Sequence, residues 1–275
     1  MKIASFEHRG RECCGVVGDA GIVPLEAPLK DLLAAGTLEE AAARAVGRAA
    51  LPAGSVTLLP PVPEPRSVIG LGHNYRSHVA EIGIAVPAHP PLFTRTADSF
   101  VGPGAAIEAP RLSEELDYEA ELAVIIGRRA RHVAAEHAMD HVAGYACFAE
   151  NTVRDFQRHS QTAFAGKNFD RSGAFGPHLV TPDEVGDPHA LRIATRLNGA
   201  TVQDGTTADM IFPIPDIIAY LSGFMTLHPG DVLLTGTPTG VGMRRDPPLW
   251  LRPGDRLEIE IERVGLLFNP VTAEI

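Results

Sequence analysis

Residues 116–127 read LDYEAELAVIIG, an apolar run that predicts a buried strand yet carries Glu119 and Glu121 with only Ala120 between them. Alternate side chains of a strand share a face, so the backbone alone would hold two like charges on one surface. Two readings stand open. In the first, the glutamates line a solvated face while Tyr118, Ala120, Leu122 and Val124 point into a core, the ordinary alternation of a half-buried strand. In the second, a bound cation makes the pair favourable, and that requires further oxygen ligands from elsewhere in the chain.

Around this strand the chain of 275 residues is rich in turn formers, with 27 glycines and 23 prolines. Short strands therefore outnumber helices, no regular βαβ repeat is present, and the expected fold class is α+β and β-dominated. The stretch TLEEAAARAVGRAA predicts a helix with Thr37 as N-cap and Glu40 closing a capping box. The proline-rich LPAGSVTLLPPVPEPR that follows places a boundary near residues 60–66, dividing a small N-terminal α/β unit over 1–63 from a larger domain over 64–275. NYRSHVAEIG predicts a short helix stopped by Gly83, and its place between a glycine-containing strand and a proline-rich loop has the anatomy of a lid. Helices are also expected near AAEHAMDHV, at ENTVRDFQRH with Glu150 at its start, and at IPDIIAYLSGFM. Two Pro-Gly-Asp turns near the end each precede an alternating strand.

Composition narrows the function classes. A net charge of -10 and a pI near 5.5 argue against a nucleic-acid or anionic-membrane surface, so an anionic substrate would need local positive charge. Cys13, Cys14 and Cys147 form neither a C-x-x-C pair nor a disulfide framework, the N-terminal MKIASFEHRGRECC has no apolar core for a signal peptide, and a cytoplasmic, soluble protein is expected. GLGHNY lacks the third glycine of a dinucleotide fingerprint, GTPTGVG lacks the Lys-Ser/Thr of a phosphate loop, and no G-x-S-x-G elbow occurs.

Three further features bear on chemistry. His78 and Glu81 stand at i and i+3 of the predicted lid helix; they form either a plain surface pair or a carboxylate-oriented imidazole suited to taking a proton. Glu150 either stabilises a helix start through the macrodipole or serves a site. Lys167 in GKNF is one of only three lysines beside 21 arginines, so lysine is the exception there, although loops often carry one.

Taken in order, GHNYRSHVAEIG, PLFTR, LDYEAELAVIIG, GYACFAENTVRDFQ, GKNF, MIFPIPDIIAYLS and HPGDVLLTGTPTGVG resemble the fumarylacetoacetate hydrolase family. The resemblance runs from about residue 66 to the C-terminus and implies a mixed β-roll with short helices. It implies Glu119, Glu121 and Glu150 as ligands of Mg²⁺ or Mn²⁺, with Ca²⁺ also compatible, although the third position is usually aspartate. It implies His78 and Glu81 as a lid-helix dyad, Lys167 as an active-site lysine, and Thr237 at the substrate carboxylate. Arg95 stands where many members have lysine, which places a guanidinium fork where the acyl group is read. Arg154 and Asp155 match the family's Arg-Asp and are expected to be structural.

The activity so implied is hydrolysis of a carbon–carbon bond in an acylpyruvate-type 1,3-diketo acid, giving pyruvate and a carboxylic acid. Isomerisation of a hydroxymuconate-like diacid and decarboxylation of oxaloacetate use the same enolate chemistry, and a catalytically silent metal- or carboxylate-binding module is the alternative from another class. The expected partner is a small 2-oxo acid, with no nucleic acid and no membrane, in a homodimer.

Overall fold

In the computed structural model, which describes residues 1–25 and 27–275, the run 116–127 becomes a two-residue strand Leu116–Asp117, an irregular step at 118–119, and the strand Ala120–Ile126. The long strand is antiparallel to Val142–Ala149 on one side and to Val232–Leu234 on the other. Both of its faces are covered. Leu122, Val124 and Ile126 pack into one core, and Ala123 and Ile125 into a second on the opposite face. A strand covered on both faces favours apolar residues on each, which is why the sequence here runs apolar without alternating except at Glu121. The solvated-face reading of Glu119 and Glu121 fails for the same reason.

This strand sits near the middle of an eleven-stranded mixed sheet. Nine strands run in the order Gly21–Pro24, Arg11–Gly18, Lys2–His8, Gly173–Val180, Val142–Ala149, Ala120–Ile126, Val232–Leu234, Val68–Leu71, Leu92–Arg95, and two short ones, Thr57–Leu58 and Phe100–Val101, pair with Lys2–His8 and Gly173–Val180 off this path. A second sheet of five strands, centred on Arg192–Leu197 and Arg256–Ile261, covers one face, and Ile193, Ile259 and Leu267 share a core with Leu122 and Val124. Burying each such aliphatic side chain contributes about 1.5–3 kcal/mol, enough in sum to fix polar groups at the strand ends. The β-dominated α+β expectation holds.

Lys2–His8, Arg11–Gly18 and Gly21–Pro24 form a wing of the main sheet. Lys2 and Ile3 pair with Val180 and Leu179, and Leu29, Leu32 and Leu38 share a core with Ala123, Ile125 and Phe148. The helix Leu38–Ala45 begins where expected, but the Thr37 side chain makes no capping bond; with Gly36 left-handed at φ 67°, the chain turns tightly there between two helices. Glu40 accepts from Arg44 one turn on instead, at 2.9 Å.

Three other expectations shift. Ala135–His141 is 3₁₀ helix, and Val232–Leu234 is buried throughout because Leu233 packs into one core and Val232 and Leu234 into the other. The helix Arg154–Gln157 starts four residues after Glu150, which instead directly follows the strand Val142–Ala149. Arg76–Ile82 and Ile214–Phe224 form as predicted, the former closed by Gly83 at φ 72°.

Candidate active site

Two adjacent central strands end together and deliver the carboxylates. Ala120 pairs with Ala149, and the Glu150 amide donates to the Glu119 carbonyl at 2.8 Å, so Glu119, Glu121 and Glu150 converge. One carboxylate oxygen from each lies within 4.8 Å of the others. All three are buried, at 4%, 2% and 0% exposure. Asp117, also buried, precedes them on the same alternation.

Three cationic side chains meet these four carboxylates. Arg154 donates to Asp117 through Nε at 2.8 Å and to Glu119 through Nη2 at 2.5 Å. Lys167 bridges Glu119, at 2.7 Å, and Glu150, with its ammonium 4.6 Å from the Phe93 ring centre. Arg95 donates through Nη1 to Glu150 Oε1 at 2.7 Å. Against the cost of burial, Arg154 and Lys167 hold Glu119 well below the usual carboxylate range.

Glu121 differs. Among the described residues its one hydrogen-bond donor is the Gly236 amide, at 2.7 Å from Oε2, and burial together with the nearby Glu150 pushes its carboxyl well above the usual range. The arrangement is therefore one positive charge short. Three buried, convergent carboxylates, one of them without a cation, fit a hard divalent ion of the Mg²⁺, Mn²⁺ or Ca²⁺ type and lack the sulfur or imidazole ligands that select zinc.

The helix Arg76–Ile82 faces this cluster. His78 Nδ1 lies 3.0 Å from Glu81 Oε2, and Glu81 Oε1 accepts from the Gly240 amide at 2.9 Å. Ser77 N–H donates to Asp209 and Arg244 to the Ile82 carbonyl, so the helix is docked. Burial works to raise the Glu81 carboxyl, but the bonds from His78 and Gly240 outweigh it and hold it low. Thr237 accepts from Gln203, whose side-chain oxygen in turn takes the Ala120 amide.

His78, Glu119, Glu121, Lys167 and Thr237 line one cleft of about 190 Å³, together with Arg154, Gln157 and Phe93. Glu81, Glu150 and Arg95 stand behind that lining. For Arg95 this is a correction. All five of its N–H groups are taken, by Ser99 Oγ and carbonyl, Glu150, the Asn151 carbonyl and Ser172 Oγ, so none remains for an acyl group. Arg154 and Asp155 are no pair: Asp155 accepts from Ser113, while Arg154 belongs to the carboxylate cluster. Asp117 and Gln203 escape the sequence reading. Asp117 could have been found, since it extends the Glu119–Glu121 alternation by one step; Gln203, 83 residues from the amide it anchors, leaves no such trace.

A buried three-carboxylate cluster facing a His-Glu helix across a small cleft defines the class. Residues 67–272 match the family model described as fumarylacetoacetate (FAA) hydrolase C-terminal, and the chain belongs to that family. Human mitochondrial oxaloacetate tautomerase FAHD2A is 45% identical over 223 residues, covering 80% of this chain and 71% of the relative. The solved fumarylacetoacetate hydrolase EaFAH of psychrophilic Exiguobacterium antarcticum has a TM-score of 0.87 at 36% identity across the whole of both chains. Maleylpyruvate hydrolase from Sphingobium sp. SYK-6, solved with manganese(II) and pyruvate, has a TM-score of 0.83 at 30% identity, again over both whole chains. No helix among the described residues is long and apolar enough to cross a membrane.

Proposed function

We propose that this chain moves a proton between carbon and oxygen of a small 2-oxo diacid, interconverting the keto and enol forms of oxaloacetate. The observation that carries the reading is the His78–Glu81 dyad opening onto the same small cleft as the carboxylate cluster. With Nδ1 engaged by Glu81, the imidazole keeps Nε2 for the substrate, and a carboxylate-oriented imidazole is a competent general base. His78 takes a proton from C3 of the keto acid and returns it to the C2 oxygen, or the reverse. A divalent ion held by Glu119, Glu121 and Glu150 would supply Lewis-acid stabilisation of the negative charge that develops on that oxygen. Lys167 keeps its proton, since the carboxylates around it outweigh burial, and it adds a second positive group. Thr237 orients the substrate carboxylate. A cleft of about 190 Å³ suits a four-carbon diacid. The 45% identity to a human oxaloacetate tautomerase supports the same substrate.

Hydrolysis of an acylpyruvate is the second reading, supported by the likeness to maleylpyruvate hydrolase and by the dyad's capacity to take a proton from water. One experiment separates the two. The protein with Mn²⁺ is expected to speed loss of enol oxaloacetate well above Mn²⁺ alone and to exchange C3 deuterium with solvent, followed by NMR, while leaving maleylpyruvate uncleaved. Cleavage of maleylpyruvate with no acceleration of oxaloacetate would reverse the assignment.

A further inference from the structure

We infer that Arg95 is the positioning residue for the third metal-ligating carboxylate: it takes Oε1 of Glu150 and so dedicates Oε2 to the cluster. The inference rests on Glu150 being a ligand, and it goes beyond that by naming what aims it. Arg95 and Glu150 side chains are both wholly shielded from solvent, and their contact is a single 2.7 Å bond from Nη1 to Oε1. The other carboxylate oxygen, Oε2, is the one that meets Lys167.

A lone carboxylate at a strand end can rotate and present either oxygen. Arg95 removes that freedom because it cannot itself move. Nε is held by Ser99 Oγ at 3.0 Å and Nη2 by the Ser99 carbonyl at 2.9 Å and Ser172 Oγ at 3.0 Å, while the second Nη1 hydrogen goes to the Asn151 carbonyl. The pocket is also shaped for the fork: a Cβ on Gly173 would lie 2.9 Å from Nη2 and 2.8 Å from the Ala149 carbonyl.

The strand Leu92–Arg95, at the edge of the main sheet, does this twice. Phe93 and Arg95 lie on one buried face at i and i+2; Phe93 sits under the Lys167 ammonium and Arg95 under Glu150, while Thr94 between them is exposed. One short strand thus supports both members of the Lys167–Glu150 pair. Lysine at position 95 would keep the charge but offer three donors from a point, and could not hold five acceptors spread around a plane.

The test is Mn²⁺ titration of the chelator-stripped full-length protein, read as free Mn²⁺ by EPR, with thermal melting alongside. Arg95→Lys is expected to weaken Mn²⁺ binding about 10- to 100-fold, the range for losing an outer partner of a metal ligand. Ser99→Ala, which removes one anchor and leaves the ion pair, is expected to weaken it about two- to fivefold, an estimate scaled down from that same range, and covers the case in which Arg95→Lys fails to fold. In a Glu150→Gln background, Arg95→Lys is expected to have little further effect. Parent affinity in both folded single variants, with Glu150→Gln impaired, overturns the role of Arg95 alone. Parent affinity in Glu150→Gln removes Glu150 from the ligand set and takes the proposed metal site with it.

Discussion

Glu81→Gln is expected to lower kcat for the proposed oxaloacetate tautomerisation by about 10²- to 10⁴-fold, the span that general acid–base catalysis supplies, and to leave Mn²⁺ affinity within about twofold. The reason lies in what the carboxylate accepts. Glu81 is held by His78 Nδ1 and the Gly240 amide, one on each oxygen, with the Thr239 side chain beside them. A glutamine has one acceptor oxygen and one donor NH₂. If the oxygen keeps the Gly240 bond, the NH₂ faces Nδ1, the imidazole proton moves to Nε2, and the base is lost on the side that faces the substrate. If the oxygen turns to Nδ1, the Gly240 amide loses its acceptor and the helix Arg76–Ile82 loosens from its dock. Either outcome removes proton transfer without touching the carboxylate cluster. The measurement is steady-state kinetics beside Mn²⁺ titration; a variant turning over at the parent rate would exclude the dyad as the proton carrier.

The same pair shows how far the sequence could be read. His78 and Glu81 are three apart on a helix bounded by Gly83, so their contact follows from local geometry and was legible. Glu119 and Glu121 were visible as charges out of place in an apolar run. What the run could not disclose is that both of its faces are buried, because that depends on distant residues packing over them, Ile193 and Ile259 on one side and Leu29 and Leu32 on the other. Glu150 was assignable only through the family resemblance. Its local setting was misjudged, since the polar ENTVRD run gives no periodicity that distinguishes a strand end from a helix start. Arg95 failed for a related reason. An arginine near a site attracts a substrate-binding reading, and only the tertiary arrangement of Ser99, Asn151 and Ser172 reveals that every donor is occupied. The family match begins at residue 67, while the main sheet and its core run without a break from the N-terminal strands into the rest of the chain.

Glu121→Gln should change stability in opposite directions with and without metal. Glu121 is a buried carboxyl that accepts from a backbone amide, and burial with Glu150 beside it raises its folded-state pKa well above the unfolded value. A carboxyl raised on folding contributes nothing below the ordinary carboxylate range and destabilises the fold increasingly as pH rises above it, because the unfolded chain then gives up a proton that the folded chain retains. At pH 8 the metal-free Gln variant is accordingly expected to be the more stable, by about 1 kcal/mol or roughly 2–4 °C in Tm for a chain of this size. Saturating Mn²⁺ reverses the order. The parent gains about 2.7 kcal/mol at a hundredfold excess over Kd, whereas the variant, with one charged ligand gone, gains little at the same concentration. The same linkage makes parent Mn²⁺ affinity fall as the pH is lowered, since the ion must displace the proton from Glu121. Thermal melts at pH 8 in chelator and in Mn²⁺ read both arms. Equal metal-induced shifts in parent and variant would mean that Glu121 holds no ion, and the missing positive charge of the cluster would then require another source.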